Sequence, residues 1–225
     1  MNKYSIISLY QKRSQSFVKR ILALLKRMEL DKSFSKELSD FQKELLQVGG
    51  EAVEAEEIYD YARDFESSLA DEYLLLSGGI YSAVLTALYH LWERDIRDLC
   101  RRMLRYYPVA DQKNKIVTEQ NIQEYNYDKL KSLLIFWGAE ETIFPEVNLL
   151  RLIVNTIKHG SGPSAIELVK SNSKYYSMLA LFCDLDLNLL NSSFGDAEIL
   201  DIDDVKYFGT VLSSFWAELG KKISI

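Results

Sequence analysis

Three side chains within one stretch have the types and spacing to do chemistry: Arg151, Asn155 and His159. On a helix, positions i, i+4 and i+8 drift by only about 80° over two turns, so the three form one polar stripe. Leu149, Leu150, Leu152, Ile153, Val154 and Ile157 surround it. A polar stripe on so apolar a helix must face water, a partner or an internal polar network. An arginine beside a titratable histidine suits phosphodiester chemistry. The guanidinium fixes phosphate or stabilises transition-state charge, and the imidazole moves a proton. The plainer alternative is a histidine closing its own helix and an arginine salt-bridged inside a bundle. Gly160-Ser161-Gly162-Pro163 is a strong helix stop, and its small residues leave room for a ligand backbone beside His159.

Other chemistries find less support. His90 and His159 are the only histidines, Cys100 and Cys183 the only cysteines, and none are paired at metal-ligand spacing, so neither a metal nor another cofactor is expected. No Gly-x-Ser-x-Gly nucleophile elbow occurs. Ser77-Gly78-Gly79 lacks the spacing of a phosphate-cradling loop and reads as a turn. Both cysteines lie in apolar helical stretches, as buried, reduced thiols of a cytoplasmic protein do. The first residues have no apolar signal-peptide core, and no segment is expected to reach the roughly 18 apolar residues of a membrane span. A net charge of −6 and a pI near 5.1 argue against nucleic-acid binding by the whole surface, though not by a local basic patch.

The elements that must position these residues read as helices throughout. Three prolines in 225 residues favour long helices over the frequent turns of a β fold. From Ile6 to Met28 apolar residues recur at helical spacing, and Lys12-Arg13, Lys19-Arg20 and Lys26-Arg27 stack on one face at intervals of seven. That face is either a phosphate-binding stripe or a solvated one. A second helix, capped by Asp31 or Ser33, carries Leu38, Phe41, Leu45 and Leu46, and Gly49-Gly50 breaks it. Glu51 to Glu72 is strongly acidic, with Arg63 the single base, and has Ile58, Tyr61, Ala62, Phe65 and Leu69 as its apolar face. Such a segment neutralises the basic helix, mimics a nucleic-acid backbone, or is merely solvated. Ile80 to Tyr106 reads as a central core helix whose second half carries Arg94, Arg97, Arg101, Arg102 and Arg105. Pro108 ends it. Helices follow over Tyr127–Trp137, from Pro145 to His159, and around Ser164–Val169. An apolar stretch from Tyr175 to Leu190 leads to a last helix, Asp201–Lys222. The expected fold is an all-α helical bundle, with an N-terminal helical region (1–73) packed on a core (74–225), or one continuous domain.

The run from Tyr81 to Cys100, followed by Arg151-Leu-Ile-Val-Asn-Thr-Ile-Lys-His-Gly160, resembles a HEPN-type helical domain over residues 77–165. Active members of that superfamily carry an arginine–histidine motif, commonly Arg-Asn-x-x-x-His. Asn155-Thr-Ile-Lys-His159 matches its second part, while Val154 stands at the arginine's place and Arg151 comes three residues early. The resemblance implies a HEPN-like bundle, a homodimer, and a toxin or antiphage-defence ribonuclease needing no metal. Arg151, Asn155 and His159 would then be catalytic. Lys158, Arg94 and Arg97 would hold RNA or nucleotide phosphate, and Glu93 would orient the motif. The competing expectation is a non-catalytic acidic protein, immunity- or antitoxin-like, that binds a basic partner through the Glu51–Glu72 face. A nucleotide-binding sensor using the same stripe is a third.

Overall fold

A computed structural model describes residues 3–28, 36–41, 43–44, 55–110, 116–171, 173–180, 183, 185–186 and 200–223. Among these the chain is helical: α1 (Lys3–Met28), α2 (Ala55–Tyr106), α3 (Asn121–Glu124), α4 (Tyr127–Phe136), a 3-10 turn (Glu141–Ile143), α5 (Pro145–His159), α6 (Pro163–Ser171), α7 (Ser173–Ala180) and α8 (Ile202–Lys222). No β-strand occurs among the described residues; Ala110 and Ile116 form one isolated antiparallel bridge. The all-α bundle is therefore as expected. The caps at Asp31 or Ser33, Leu45, Leu46, the Gly49-Gly50 break, Glu51, Glu54 and most of the 191–200 loop lie outside the described residues, as do the side chains of Glu56 to Ala62.

The bundle is organised on α2, whose 52 residues span about 78 Å at 1.5 Å per residue. Here the turn expected at Ser77-Gly78-Gly79 needs correcting, because the helix runs straight through it. Two glycines weaken a helix by about 1 kcal/mol each. Yet Leu74–Leu76 before them and Ile80–Leu88 after them keep helical periodicity, and the Ser77 hydroxyl donates back to the Leu74 carbonyl. The expected acidic helix and the expected core helix are thus one element, and residues 73 and 74 are adjacent within it.

The helix also departs from expectation in its length and polarity. Tyr73–Trp92 is a run of 20 residues without Asp, Glu, Lys or Arg. Within Arg63–Tyr106 an 18-residue window reaches a mean hydropathy of 1.5, long and apolar enough by composition to cross a membrane. Core burial accounts for part of that character: Leu85, Leu88, Tyr89 and Trp92 are all buried in the bundle.

Helix α1 packs most extensively on α8 and also on α2. Gln15 pairs with Ser213, and Gly209 and Gly220 lie beside Val18 and Ile7, so α1 and α8 run antiparallel. Those glycines are eleven residues apart and hence on one face. A Cβ at Gly209 would lie 2.8 Å from both Val18 methyl groups, so its absence sets how closely the helices approach. The Asp201 carboxylate accepts from the Asp203 and Asp204 N–H groups, and Asp204 reaches back to the Asp201 N–H, a full capping box that fixes the start of α8. Ile7, Tyr10 and Leu25 of α1 join α2, α4, α5 and α8 in a single hydrophobic core. Cys100 is buried and Cys183 half-buried, both as free thiols, and burial pushes the Cys100 thiol up to about 12.

Candidate functional site

Helix α5 begins and ends where its residues dictate. Pro145 occupies the first turn, where no N–H is needed, and Gly160 closes the helix at φ 63°. Val147, Leu150, Leu152, Ile153, Val154 and Thr156 turn inward. Arg151 and Asn155 are half-buried; Lys158 and His159 are exposed. The four polar residues therefore do share the outer side of α5, as their spacing requires.

Their side chains nonetheless go to different neighbours. Arg151 leans towards the helix start, as helical side chains do. Its Nε donates to the Asn148 Oδ1 at 2.8 Å, and a terminal nitrogen lies 3.5 Å from the Glu167 carboxylate on α6. Its guanidinium carbon stands 5.1 Å from the centre of the Tyr127 ring. Only 18% of the side chain is exposed. It lines a cleft of about 550 Å³ together with Lys131, Thr142 and Glu167. Burial holds the Tyr127 hydroxyl far above its ordinary range, with Arg151 pulling the other way, so the ring under the guanidinium is a neutral phenol. His159 sits eight residues on, about 12 Å further along the axis, and is not among the residues lining this cleft.

These contacts give Arg151 a positioning role within the bundle. Arg151→Ala is expected to cost about 1–2 kcal/mol through lost stacking and a stranded Asn148. Arg151→Lys is expected to recover little of it, because an ammonium lacks the planar fork. Urea unfolding of the two variants measures both, and full stability in Arg151→Ala would show that the stack holds nothing.

A second cluster forms where α2 meets the end of α5. Lys158 Nζ lies 3.4 Å from His90 Nε2, and His90 Nδ1 lies 3.5 Å from a Glu93 oxygen. Arg97 donates to the other Glu93 oxygen at 2.8 Å. Arg97 also donates to the Ile122 and Gln123 carbonyls at 2.6 and 3.1 Å, completing the end of α3. The cluster thus joins Lys158, Glu93 and Arg97, all anticipated, to His90, which was not. The spacing of 90, 93 and 97 puts them on one face of α2, but Lys158 reaches them only through tertiary packing. Arg94 lies elsewhere, 3.6 Å from Asp95 on the side facing α1.

Sequence periodicity gave no sign of a cavity of about 960 Å³ between α5, α7 and the start of α8. Glu146, Asp204, Lys174, Tyr175 and Tyr207 line it. The Tyr175 hydroxyl donates to Asp204 at 2.9 Å, and the Tyr207 hydroxyl donates to Glu146. Burial raises the Asp204 carboxyl despite the Asp201 N–H and Tyr175 bonds. Burial and the Glu146 charge push the Tyr207 hydroxyl up to about 12. Among the described residues, no group of three or more His, Cys, Asp or Glu side chains is placed to hold a metal ion.

Fold and site together define a helical bundle with a polar seam where one long helix meets the end of α5. Comparison with protein-family models, curated proteins and solved structures finds no match to the chain. The HEPN resemblance accordingly rests on the residues quoted above.

Proposed function

We propose that the chain is a HEPN-like protein that binds RNA or nucleotide phosphate at the end of α5, and that binding rather than cleavage is its activity. The observation that carries this reading is the seam itself: Lys158 and His159 are exposed together beside a glycine-rich exit, with His90 held against Lys158 by Glu93. Lysine and histidine N–H groups there suit phosphate oxygens. Support for binding over cleavage comes from Arg151, whose guanidinium is taken up by Asn148, Glu167 and Tyr127. A phosphoryl transition state needs such a donor free and aimed at the developing charge.

Fluorescence anisotropy with a short single-stranded RNA tests the reading. Lys158→Ala is expected to weaken binding about tenfold, from one lost charged phosphate contact. The affinity of wild type is expected to fall with added salt. Equal affinity in wild type and Lys158→Ala would remove the seam from consideration.

The cavity beside Tyr175 and Tyr207 favours a second reading, an acidic interaction protein. Its carboxylates and tyrosine rings suit a lysine or arginine side chain of a basic partner.

A further inference from the structure

The N-terminal part of α2 and the groove between α1 and α8 carry opposite charge at matched spacing. Lys12, Lys19 and Lys26 recur every seven residues along α1, and Glu57, Asp64 and Asp71 recur every seven along α2. Seven residues rise about 10.5 Å on either helix. Lys12, Lys19 and Lys26 are exposed and make no ion pair among the described residues, and Asp64 and Asp71 are likewise exposed and unpaired. Lys19 and Lys26 edge a groove of about 620 Å³ whose floor includes Val18, Leu22 and Gly209. On α2, Leu75 shares the face of Asp64 and Asp71 and is 56% exposed; Leu76 beside it is 55% exposed. A basic edge with an apolar floor on one surface thus answers an acidic stripe ending in leucine on the other.

Within one molecule these surfaces do not meet. Tyr10 bonds Asp98 and Arg13 bonds Asp95, so α1 and α2 run antiparallel. From Asp95 back to Asp71 is 24 residues, about 36 Å, whereas from Arg13 to Lys19 is six residues, about 9 Å. Asp71 therefore lies some 27 Å beyond Lys19, about three screening lengths at physiological salt. Asp64 and Lys26 are offset by a similar distance.

We propose that two copies of this chain associate by seating the acidic stripe of one copy's α2 in the lysine-edged groove between α1 and α8 of the other. Reciprocal seating closes a two-fold dimer and uses both surfaces of both copies. The seven-residue spacing keeps Asp64 and Asp71 in step with Lys19 and Lys26, as it does along a coiled-coil seam. This interface is separate from the α5 seam, so its failure leaves the RNA reading untouched.

Sedimentation velocity on the full chain tests it with a charge swap. Wild type is expected to dimerise at about 0.1 M salt and to dissociate at about 1 M, where the screening length falls from about 10 to about 3 Å. Lys19→Glu/Lys26→Glu alone and Asp64→Lys/Asp71→Lys alone are each expected to be monomeric, with wild-type circular dichroism because all four side chains are exposed. Mixing the two variants is expected to restore a dimer, since each groove then meets an arm of opposite sign. A monomeric wild type at every salt concentration overturns the proposal. So does a dimer indifferent to both reversals, or a mixture that stays monomeric. A monomer whose groove reversal abolishes RNA binding also overturns it, and assigns the groove to nucleic acid.

Discussion

Trp216→Ala is expected to destabilise the bundle by about 3–5 kcal/mol, the usual range for deleting a buried indole. Trp216 is 1% exposed, on the face of α8 that meets α1. Its ring centre lies 5.1 Å from that of Tyr10 and 5.5 Å from that of Phe215, which in turn packs edge-on against Trp92 and Phe144. The indole therefore links α1 and α8 to a chain of rings reaching α2 and the start of α5. Because Gly209 and Gly220 already bring α1 and α8 into close approach, little slack exists to fill the void. A domain of this size is stable by about 5–15 kcal/mol, so the variant keeps a small margin at best. Chemical denaturation gives the loss directly. Hydrogen exchange is expected to rise in α1 before α5, since α1 loses its main support. Trp216→Phe, which keeps a ring in place, is expected to cost clearly less. A loss under about 1 kcal/mol in Trp216→Ala would show that the α1–α8 contact does not anchor the core.

The second large effect is electrostatic. Asp95 is only 1% exposed; one oxygen accepts from Arg13 at 2.6 Å, Arg94 lies at 3.6 Å, and the other oxygen has no partner. Burial raises its carboxyl above the ordinary value, and Arg13 and Arg94 only partly offset this. Arg13→Ala leaves a buried carboxylate with a weaker partner. Breaking a fully buried pair costs about 3–5 kcal/mol, and since Arg13 is 43% exposed the expected loss is about 2–3 kcal/mol at neutral pH.

The sign of the pH dependence follows. A carboxyl whose folded pKa is raised contributes its stability below the unfolded value, near 3.9, and loses it as pH rises through the folded value. Removing Arg13 raises the folded value further. The deficit of Arg13→Ala is therefore expected to be smallest in acid and to grow towards neutrality. Arg13→Ala/Asp95→Leu is expected to regain most of the loss, because the uncompensated charge is gone. Urea titrations at acid and neutral pH measure both effects. A deficit independent of pH would mean that Asp95 is not its source. Neighbouring Asp98 behaves oppositely: burial raises it, but hydrogen bonds from Tyr10 and Arg102 and the arginine charges hold it lower overall.

Much of the fold was legible because local signals agreed with tertiary demand. Pro145 and Gly160 bounded α5, Pro108 followed the end of α2, and the acids at 201–204 announced the start of α8. Ser77-Gly78-Gly79 misled because turn chemistry is a local preference, and the apolar residues on both sides outweigh it by continuing the helix. The same local view hid the uncharged run from Tyr73 to Trp92, which crosses that supposed turn. In the site, periodicity correctly placed Arg151, Asn155 and His159 on one side of α5. It said nothing about where each side chain would turn, and Asn148, Tyr127 and Glu167 drew Arg151 away. His90 was legible only as one of two histidines, since its partner Lys158 is 68 residues away. The cavity beside Tyr175 and Tyr207 was invisible for a similar reason, being assembled from helices far apart in sequence.

The most direct test of the proposed activity is a gel assay of labelled single-stranded RNA incubated with the full chain and a chelator, wild type beside His159→Ala. Binding without cleavage predicts RNA intact in both lanes, at protein concentrations that saturate the anisotropy signal. Cleavage by wild type that disappears in His159→Ala would contradict the account, and would return Arg151, Asn155 and His159 to a catalytic role.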